Sequence, residues 1–312
     1  MIRPDAKKIR ILFMGTPQIA ADVLERLLDD GYNIVGLVAQ EDKQVGRKRL
    51  VLAVPTKVVA RGRGIPSFQP HRIRQDTSVL EELKPELILT LAYGQIVPDE
   101  VLNYPKYGCL NLHGSILPKY RGAAPIQRAI MDGEEETGIT LMQMVSKMDA
   151  GKMYAVEKVG IDESDDYNSL SEKLADAAYK CVSKNLQPYL DGTLKGEEQD
   201  EEKVTFADKI LPEDEVLTKE LSVKEFINKV RGLCAIGPHV IIGDKTLKIF
   251  KASKKELDMP LELGQIYVKK GIFIKLKDGL VSLDEVQLQG KNRMDGKSFA
   301  SGAQSLNGQF ID

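Results

Sequence analysis

Short apolar runs alternate with helical stretches through the first half of the chain. The apolar run at residues 9–14 is followed by an amphipathic stretch that ends at Asp30, with its apolar residues at helical spacing. Further apolar runs lie at 34–39, 86–92 and 109–112, and further helical stretches lie at 54–62 and 78–84. Strands that alternate with helices are typical of a parallel sheet. This half therefore predicts an α/β domain with a mostly parallel, Rossmann-like sheet.

The pattern changes in the second half of the chain. Residues 139–145 and 154–161 predict two strands joined in a hairpin, and residues 167–190 predict a long helix. A helix over 223–231 then precedes closely spaced β-rich runs, at 240–242, 246–252, 265–268, 272–275 and 281–286. Such spacing predicts a small β-barrel, although the spacing alone permits other β folds.

Charge marks the boundary between the two patterns. Residues 191–202 carry six acidic side chains and one lysine, which is typical of a solvated segment. We therefore expect a first domain over 1–190, an acidic linker over 191–206 and a second domain over 207–312. A chain of 312 residues is long enough for two domains, each with its own core.

Composition argues against several classes of protein. Apolar residues make up 42% of the chain, as in ordinary globular proteins, but no run approaches the roughly 20 apolar residues of a membrane helix. The N-terminus lacks the pattern of a signal peptide, so we expect a cytoplasmic protein without membrane contact. The three cysteines and three histidines are widely separated, which indicates neither a disulfide framework nor a metal site. A net charge of -2 argues against a globally basic nucleic-acid binder but permits a local basic face.

Asn111 and His113 lie two residues apart at the end of an apolar run. Residues i and i+2 of a strand point to the same face, so the amide and the imidazole would stand side by side. An amide NH2 can donate to a developing oxyanion, and an imidazole can donate, accept or move a proton near neutral pH. The glycines and prolines that follow would force residues 115–124 into an ordered loop beside this pair. Taken alone, the pair is equally consistent with two satisfied buried groups.

Asp149 is the candidate carboxylate of the predicted hairpin. It follows the apolar segment 138–145 and precedes a glycine turn at Gly151. A carboxylate brought against His113 would fix the tautomer of the imidazole. The local pattern equally predicts a plain turn residue, and the sequence alone does not bring Asp149 and His113 together.

The motifs around these residues resemble those of the 10-formyltetrahydrofolate-dependent formyltransferases. The resemblance lies in Asn-x-His at 111–113, in S-x-L-P-x-x-R-G-x-x-P-I at 115–126 and in D-x-G-x-M at 149–153, and it extends to 12–17, 92–98 and 204–207. Segments 121–127 and 138–144 are similar to the branch of that family that acts on methionine-charged initiator tRNA. The resemblance covers most of the chain, and it implies an OB-like barrel for the second domain.

The resemblance also implies formyl transfer from 10-formyltetrahydrofolate to the α-amino group of the methionine on that tRNA. Asn111 and His113 would stabilise the tetrahedral oxyanion, while Asp149 would orient His113 or help to remove the amine proton. No metal would be required. Two segments would hold the folate, and they comprise Tyr93, Gly94, Gln95, Ile96, Val97 and Pro98, together with Ser115, Ile116, Leu117 and Pro118.

A basic run follows the second predicted strand. Residues 41–50 contain four bases, Lys43, Arg47, Lys48 and Arg49, against two acids. A run this short is by default a solvated loop, but the resemblance implies a loop that enters the acceptor end of the tRNA and contacts its phosphates. Residues 245–312 also carry twelve bases against eight acids. We expect a monomer whose partners are folate and charged initiator tRNA.

Two other functions fit the same residues. A formyltransferase that acts on a small amine, such as glycinamide ribonucleotide or a nucleotide-linked amino sugar, could use Asn111, His113 and Asp149 in the same way. A non-catalytic RNA-binding protein could use the basic run but would leave those three residues without a purpose. Salt-sensitive binding would favour an RNA partner.

Overall fold

The computed structural model describes residues 4–45, 50–257 and 259–312. The chain divides into two compact units. The first unit comprises residues up to 125 together with 136–160 and 171–207, and the second comprises 126–135, 161–170 and 208–312. Neither unit is one continuous stretch of chain, because the short segments 126–135 and 161–170, which interrupt the first unit in sequence, belong to the second unit.

Strands and helices alternate through the first half, as the sequence predicts. In chain order the elements are β1 (Ile11–Gly15), α1 (Gln18–Asp29), β2 (Ile34–Val38), β3 (Lys43–Val45), β4 (Leu50–Leu52), α2 (Pro55–Gly62), β5 (Ser67–Phe68), α3 (Ser78–Leu83), β6 (Leu87–Leu91), α4 (Asp99–Leu102), β7 (Cys109–His113), α5 (Pro125–Asp132), β8 (Glu136–Gln143), β9 (Met153–Gly160) and α6 (Tyr167–Leu190). The long helix α6 has the bounds that the apolar pattern predicts.

The first unit is built on a sheet with the strand order β5-β2-β1-β6-β7-β8-β9. Neighbouring strands from β5 to β7 are parallel, and β8 and β9 continue the sheet antiparallel. Every residue of β1 and β6 is buried, which explains why these strands appear in the sequence as nearly continuous apolar runs. The predicted mostly parallel α/β sheet and the β8–β9 hairpin are confirmed.

The first base of the basic run, Lys43, lies in a separate small hairpin. Strand β3 pairs antiparallel with β4, so that Lys43 lies opposite Leu52. The charge of the run predicts a loop over 43–49, but residues 43–45 form a strand because they pair with the β-prone residues Leu50, Val51 and Leu52, whose side chains are exposed. Lys43 is exposed, whereas Arg47, Lys48 and Arg49 lie outside the residues that the structure describes.

The C-terminal part of the second unit, residues 208–312, contains a helix, an antiparallel sheet and a second, short helix. Its elements are α7 (Val223–Leu233), β10 (His239–Ile242), β11 (Lys245–Lys255), β12 (Ile266–Val268), β13 (Ile272–Leu276), β14 (Gly279–Leu288), β15 (Met294–Asp295) and α8 (Gly296–Gly302). Helix α7 begins with a capping box, in which Ser222 Oγ accepts from the backbone N of Glu225 while the Glu225 carboxylate accepts from the backbone N of Ser222.

The C-terminal residues close this sheet into a barrel. The strand order is β10-β11-β14-β13-β12, with β15 paired to β14. At the edge of the sheet formed by β12, Ile266 N donates to Gln309 O (2.8 Å) and Ile311 N donates to Gly264 O (3.0 Å). At the opposite edge, Asp312 N donates to Ile241 O of β10 (3.3 Å). Residues 309–312 therefore bridge the two edges of the sheet, and the predicted small OB-like barrel is confirmed.

The acidic segment is ordered against the first unit. Glu197 and Met153 exchange two backbone hydrogen bonds (2.8 and 2.9 Å), which attaches the segment to β9. Farther along, Arg121 N donates to Thr205 O (2.9 Å) and Ala207 N donates to Arg121 O (2.7 Å). Residues 191–207 thus belong to the first unit, even though their charge is that of a solvated segment.

Candidate active site

Asn111 and His113 lie at the carboxyl end of β7, the last of the parallel strands. Asn111 is placed between Thr90 of β6 and Met142 of β8, and His113 lies opposite Thr140 of β8. His113 is buried and Asn111 is half-buried. Among the described residues, no hydrogen-bond partner is found for the Asn111 side chain, so its NH2 is available to a ligand.

The backbone of Tyr120 sets the tautomer of His113. The Nε2 atom of His113 lies 2.8 Å from the carbonyl oxygen of Tyr120. A carbonyl can only accept, so Nε2 carries the hydrogen and Nδ1 is the basic nitrogen of the neutral ring. Tyr120 adopts a left-handed backbone conformation, with φ of 62°, which non-glycine residues adopt at a cost.

Asp149 lies next to the basic nitrogen of His113. Its Oδ2 atom is 3.6 Å from His113 Nδ1, which is too long for a hydrogen bond, and it accepts a hydrogen bond from Gly122 N at 2.9 Å. The two sequence-predicted residues therefore meet, but Tyr120 rather than Asp149 fixes the tautomer. A lone pair on Nδ1 and a carboxylate are both acceptors, and they can form a hydrogen bond once a proton lies between them.

The turn that carries Asp149 is sterically constrained. Asp149 has a φ of 49°, again in the left-handed region. A Cβ atom at Gly151 would lie 2.0 Å from the backbone oxygen of Gln143, so no other residue fits there without movement of the backbone. The positive φ at Asp149 and the close approach at Gly151 together define the direction in which the carboxylate points.

Two buried side chains outside the set of sequence-predicted site residues, Arg121 and Gln199, form a hydrogen-bonded chain that ends on the backbone of the Asp149 turn. Arg121, with 1% of its surface exposed, donates from Nε to Gln199 Oε1 at 2.9 Å. Gln199 in turn donates to the backbone oxygens of Asp149 (2.7 Å) and Gly151 (2.8 Å). Arg121 belongs to a motif that the sequence displays, whereas Gln199 is a single amide in an acidic run and carries no sequence signal of burial.

Cys109 is the thiol nearest in sequence to this pair, and it is not a nucleophile. Its Sγ is buried and lies 3.5 Å from the backbone oxygen of Leu102. Burial raises the pKa of the thiol to about 12, so the thiolate, which is the reactive form, is not populated near neutral pH.

The segment 93–98 follows β6 and reaches the same edge of the sheet as Asn111. Tyr93 and Val97 are buried in the core of the first unit. The Gln95 amide is bound to the protein itself, because its Oε1 accepts from Ile73 N (2.8 Å) and its Nε2 donates to Pro70 O (3.2 Å). Gly94 and Ile96 are exposed and Pro98 is half-buried, so these residues leave surface for a ligand.

The segment 115–118 follows β7 and is tied down by hydrogen bonds. Ser115 Oγ donates to Lys119 O (2.6 Å), Thr140 Oγ1 donates to Ser115 O (2.7 Å), and Leu117 N donates to Thr140 Oγ1 (3.2 Å). Ser115 and Leu117 are buried, while Ile116 and Pro118 are half-buried. The ordered loop that the glycines and prolines predict is therefore present beside His113.

The described residues offer neither a cluster of metal ligands nor a membrane-spanning helix. They contain no group of three or more His, Cys, Asp or Glu side chains arranged to hold a metal ion. None of the helices in the described ranges combines the length and the apolar character that crossing a bilayer requires.

Some known proteins are similar to this chain in sequence, and others are similar to it in fold. A relative from Bacillus licheniformis, a methionyl-tRNA formyltransferase, is 42% identical over 303 residues, which cover 94% of this chain and 95% of the relative. Two crystal structures share the fold at lower identity. HypX from Aquifex aeolicus in complex with tetrahydrofolic acid gives a TM-score of 0.69 at 18% identity, over 96% of this chain and 47% of HypX. The N-formyltransferase from Helicobacter canadensis in complex with folinic acid and dTDP-3-aminofucose gives a TM-score of 0.65 at 20% sequence identity, over 88% of this chain and 98% of that protein.

Family models agree with these relatives across nearly the whole length. Residues 7–186 match the model described as formyl transferase, and residues 209–304 match its C-terminal domain. The first match contains Asn111, His113 and Asp149, and the second contains most of the barrel. The chain therefore belongs to the formyl transferase family.

Proposed function

We propose that this protein transfers the formyl group of 10-formyltetrahydrofolate to the α-amino group of methionine on charged initiator tRNA, giving N-formylmethionyl-tRNA for translation initiation. The observation that carries the proposal is the Asn111 amide, which has no partner among the described residues, beside the His113 and Asp149 pair, in a chain that aligns over nearly its whole length with a methionyl-tRNA formyltransferase. A role as a non-catalytic RNA-binding protein would give this arrangement no purpose.

The reaction exchanges one carbon–nitrogen bond for another. The lone pair of the methionine nitrogen attacks the formyl carbon, and the bond from that carbon to N10 of the folate then breaks. The amine loses one proton and N10 gains one, so the products are tetrahydrofolate and a formamide. No covalent bond to the enzyme is needed, which agrees with the buried, protonated Cys109.

Asn111 supplies the donor for the oxyanion. Negative charge develops on the formyl oxygen as the amine attacks, and a preorganised amide NH2 stabilises that charge. The Asn111 side chain has no partner among the described residues, so it gives up no hydrogen bond within the protein to do so. The ordered strand around it holds the amide in place before the substrates bind.

His113 and Asp149 together accept the proton that the attacking amine releases. Because Nε2 of His113 donates to Tyr120 O, Nδ1 is the nitrogen that can accept a proton. The carboxylate of Asp149, 3.6 Å away, stabilises the imidazolium that results. The imidazolium of His113 can then return the proton to N10. While it is protonated, it also stabilises the nearby oxyanion.

The donor binds at the carboxyl edge of the sheet. Gly94 exposes its backbone there and Ile96 is 77% exposed, a combination that suits a flat heterocycle, which needs apolar contact and backbone hydrogen bonds. We assign the remaining contacts to Tyr93, Gln95, Val97 and Pro98 and to Ser115, Ile116, Leu117 and Pro118. The buried members of this set shape the site rather than touch the folate.

The acceptor tRNA binds through phosphate contacts. We assign these contacts to Lys43, Arg47, Lys48 and Arg49 of the basic run and to the barrel within 207–312, which carries an excess of bases. Residues 1–190 act as the catalytic domain and 191–206 connect it to the barrel. The protein works in this scheme as a cytoplasmic monomer.

The test is product formation with a panel of acceptors. Purified protein is incubated with 10-formyltetrahydrofolate and, separately, charged initiator tRNA, charged elongator methionine tRNA, glycinamide ribonucleotide and a nucleotide-linked amino sugar. We expect formylated product with charged initiator tRNA in preference to the others. Turnover confined to a small amine would contradict the assignment of the acceptor, and lack of turnover with every acceptor would contradict the proposed function as a whole.

A further inference from the structure

We propose that Gln199 is a positioning residue for Asp149, so that the acidic segment after α6 takes part in catalysis instead of only connecting two domains. The inference rests on the proposed function, because it concerns the carboxylate that acts with His113. It assigns a role to a residue that touches neither substrate.

The amide of Gln199 can adopt one orientation in its surroundings. Arg121 Nε can only donate, and it lies 2.9 Å from Gln199 Oε1. The backbone oxygens of Asp149 and Gly151 can only accept, and they lie 2.7 and 2.8 Å from Gln199 Nε2. If the amide were flipped, its NH2 would face the donor of Arg121 and its oxygen would face two carbonyl acceptors, so these hydrogen bonds would be lost. The hydrogen bonds to all three partners therefore require the same orientation of the Gln199 amide.

Arg121 makes this arrangement rigid. Its guanidinium is almost fully buried and also donates to Glu201, with NH2 to Oε1 at 2.8 Å. Hydrogen bonds from Arg121 and then Lys147 hold the pKa of Glu201 below its ordinary value. The residue after Arg121, Gly122, donates its backbone N to the Asp149 carboxylate. One stretch of chain thus holds Asp149 directly through Gly122 and indirectly through Gln199.

These contacts act on the backbone that aims the carboxylate. Asp149 has a φ of 49°, and its own turn supplies a long hydrogen bond from Ala150 N to Lys147 O (3.3 Å). Gln199 binds the carbonyls on either side of residue 150 and so keeps the turn in its left-handed form. Without those donors the turn relaxes, and the distance from Oδ2 to His113 Nδ1 changes. A misplacement of about 1 Å at a reacting group can cost about 10²-fold in rate.

The experiment compares Gln199→Met and Gln199→Glu with a matched control. Methionine keeps the volume but removes both donors, while glutamate keeps the acceptor for Arg121 and loses the donors. The control is Glu198→Gln, because Glu198 is the adjacent residue, is exposed and pairs with Lys152 at 3.4 Å. We expect kcat to fall about 10- to 100-fold in both Gln199 variants, with KM for each substrate within about twofold of wild type. The control should match wild type.

A double-mutant cycle separates positioning from general stability. If Gln199 acts through Asp149, Gln199→Met should cost little further kcat in an Asp149→Asn background, whereas independent effects would multiply. The proposal is overturned if folded Gln199 variants keep the wild-type kcat, if the effects multiply, or if both variants fail to fold while Glu198→Gln folds. A wild-type protein inactive with every acceptor would instead overturn the proposed function, and this inference with it.

Discussion

At the scale of single residues, the hydroxyl group of Tyr93 is buried without a hydrogen-bond partner among the described residues. An unsatisfied buried hydroxyl costs about 1–3 kcal/mol, so we expect Tyr93→Phe to raise the free energy of unfolding. Tyr189 offers a matched contrast, because its hydroxyl donates to Tyr107 O at 2.8 Å. Tyr189→Phe should lower stability by about 1 kcal/mol. Urea denaturation of both variants tests the pair, and equal effects of the same sign would contradict this explanation.

The buried thiol of Cys109 should make the fold sensitive to alkaline pH. Burial raises its pKa from 9.0 to about 12, so the folded protein keeps a proton that the unfolded chain releases. This contribution to stability is fully present below pH 9 and is lost as the pH rises towards 12. We expect Cys109→Ala to reduce the dependence of unfolding free energy on pH in that window, by at most about 1.4 kcal/mol per pH unit. If the free energy of unfolding had the same slope against pH in wild type and in Cys109→Ala between pH 9 and 12, the proposed role of the Cys109 thiol would be refuted.

The sequence could predict some residues of the candidate site and not others. The period of a strand suffices to place Asn111 and His113 on one face, and the structure has both in β7. The meeting of His113 with Asp149 depends on the pairing of β7, β8 and β9, which local patterns do not determine. The contact between Gln199 and Asp149 joins residues 50 positions apart, and no periodicity encodes it.

At the scale of elements, the turn after β8 leaves no room for a side chain at Gly151. A Cβ there would meet a backbone oxygen at 2.0 Å, whereas a Cβ at Gly160, at the end of β9, would meet nothing within 4 Å. We expect Gly151→Ala to destabilise the protein by about 1–3 kcal/mol and to lower kcat about 10-fold or more, because Asp149 lies two residues away. Gly160→Ala is the control and should resemble wild type in denaturation and formylation assays. Normal activity of folded Gly151→Ala would show that the turn tolerates movement.

The predicted elements are correct where apolar periodicity decides the structure. Helix α6 and the longer strands of both sheets follow their patterns closely, because burial of one face selects them, whereas the two-residue strands β5 and β15 are too short to give a pattern and are not predicted. The acidic segment illustrates the opposite case. Its charges predict solvent exposure, yet the backbone of Glu197 pairs with β9 and Gln199 is buried, since backbone groups can pair whatever side chains they carry.

At the scale of the whole molecule, the two compact units do not coincide with two halves of the sequence. Within the second unit, Arg128 of α5 forms an ion pair with Asp214 at 2.7 Å, and Arg231 of α7 donates to the backbone oxygen of Asp162 at 2.6 Å. Charge and composition predict the acidic boundary but cannot reveal that 126–135 and 161–170 pack with the barrel. These contacts connect residues that are distant in sequence.

Binding of tRNA should depend steeply on salt. Each phosphate neutralised by a basic side chain contributes about 0.7–0.9 to the slope of log affinity against log salt. We therefore expect replacement of Lys43, Arg47, Lys48 and Arg49 by glutamine to reduce the magnitude of that slope by about 3 to 3.5 if all four contact phosphates. Arg63→Gln is the control, because its guanidinium is already paired with Asp29, and its slope should be unchanged. If the fourfold variant kept the wild-type slope, the phosphate contacts would lie elsewhere.

The rate of the chemical step in Asn111→Ala tests the central claim most directly. Single-turnover formylation of charged initiator tRNA, with both enzyme and 10-formyltetrahydrofolate saturating, isolates that step from binding and product release. We predict a rate about 10²- to 10³-fold below wild type, as for loss of one oxyanion donor, with tRNA affinity changed by no more than about twofold. A rate equal to that of wild type, or a loss no larger than in the exposed control Asn103→Ala, would contradict the claim that the Asn111 amide stabilises the transition state.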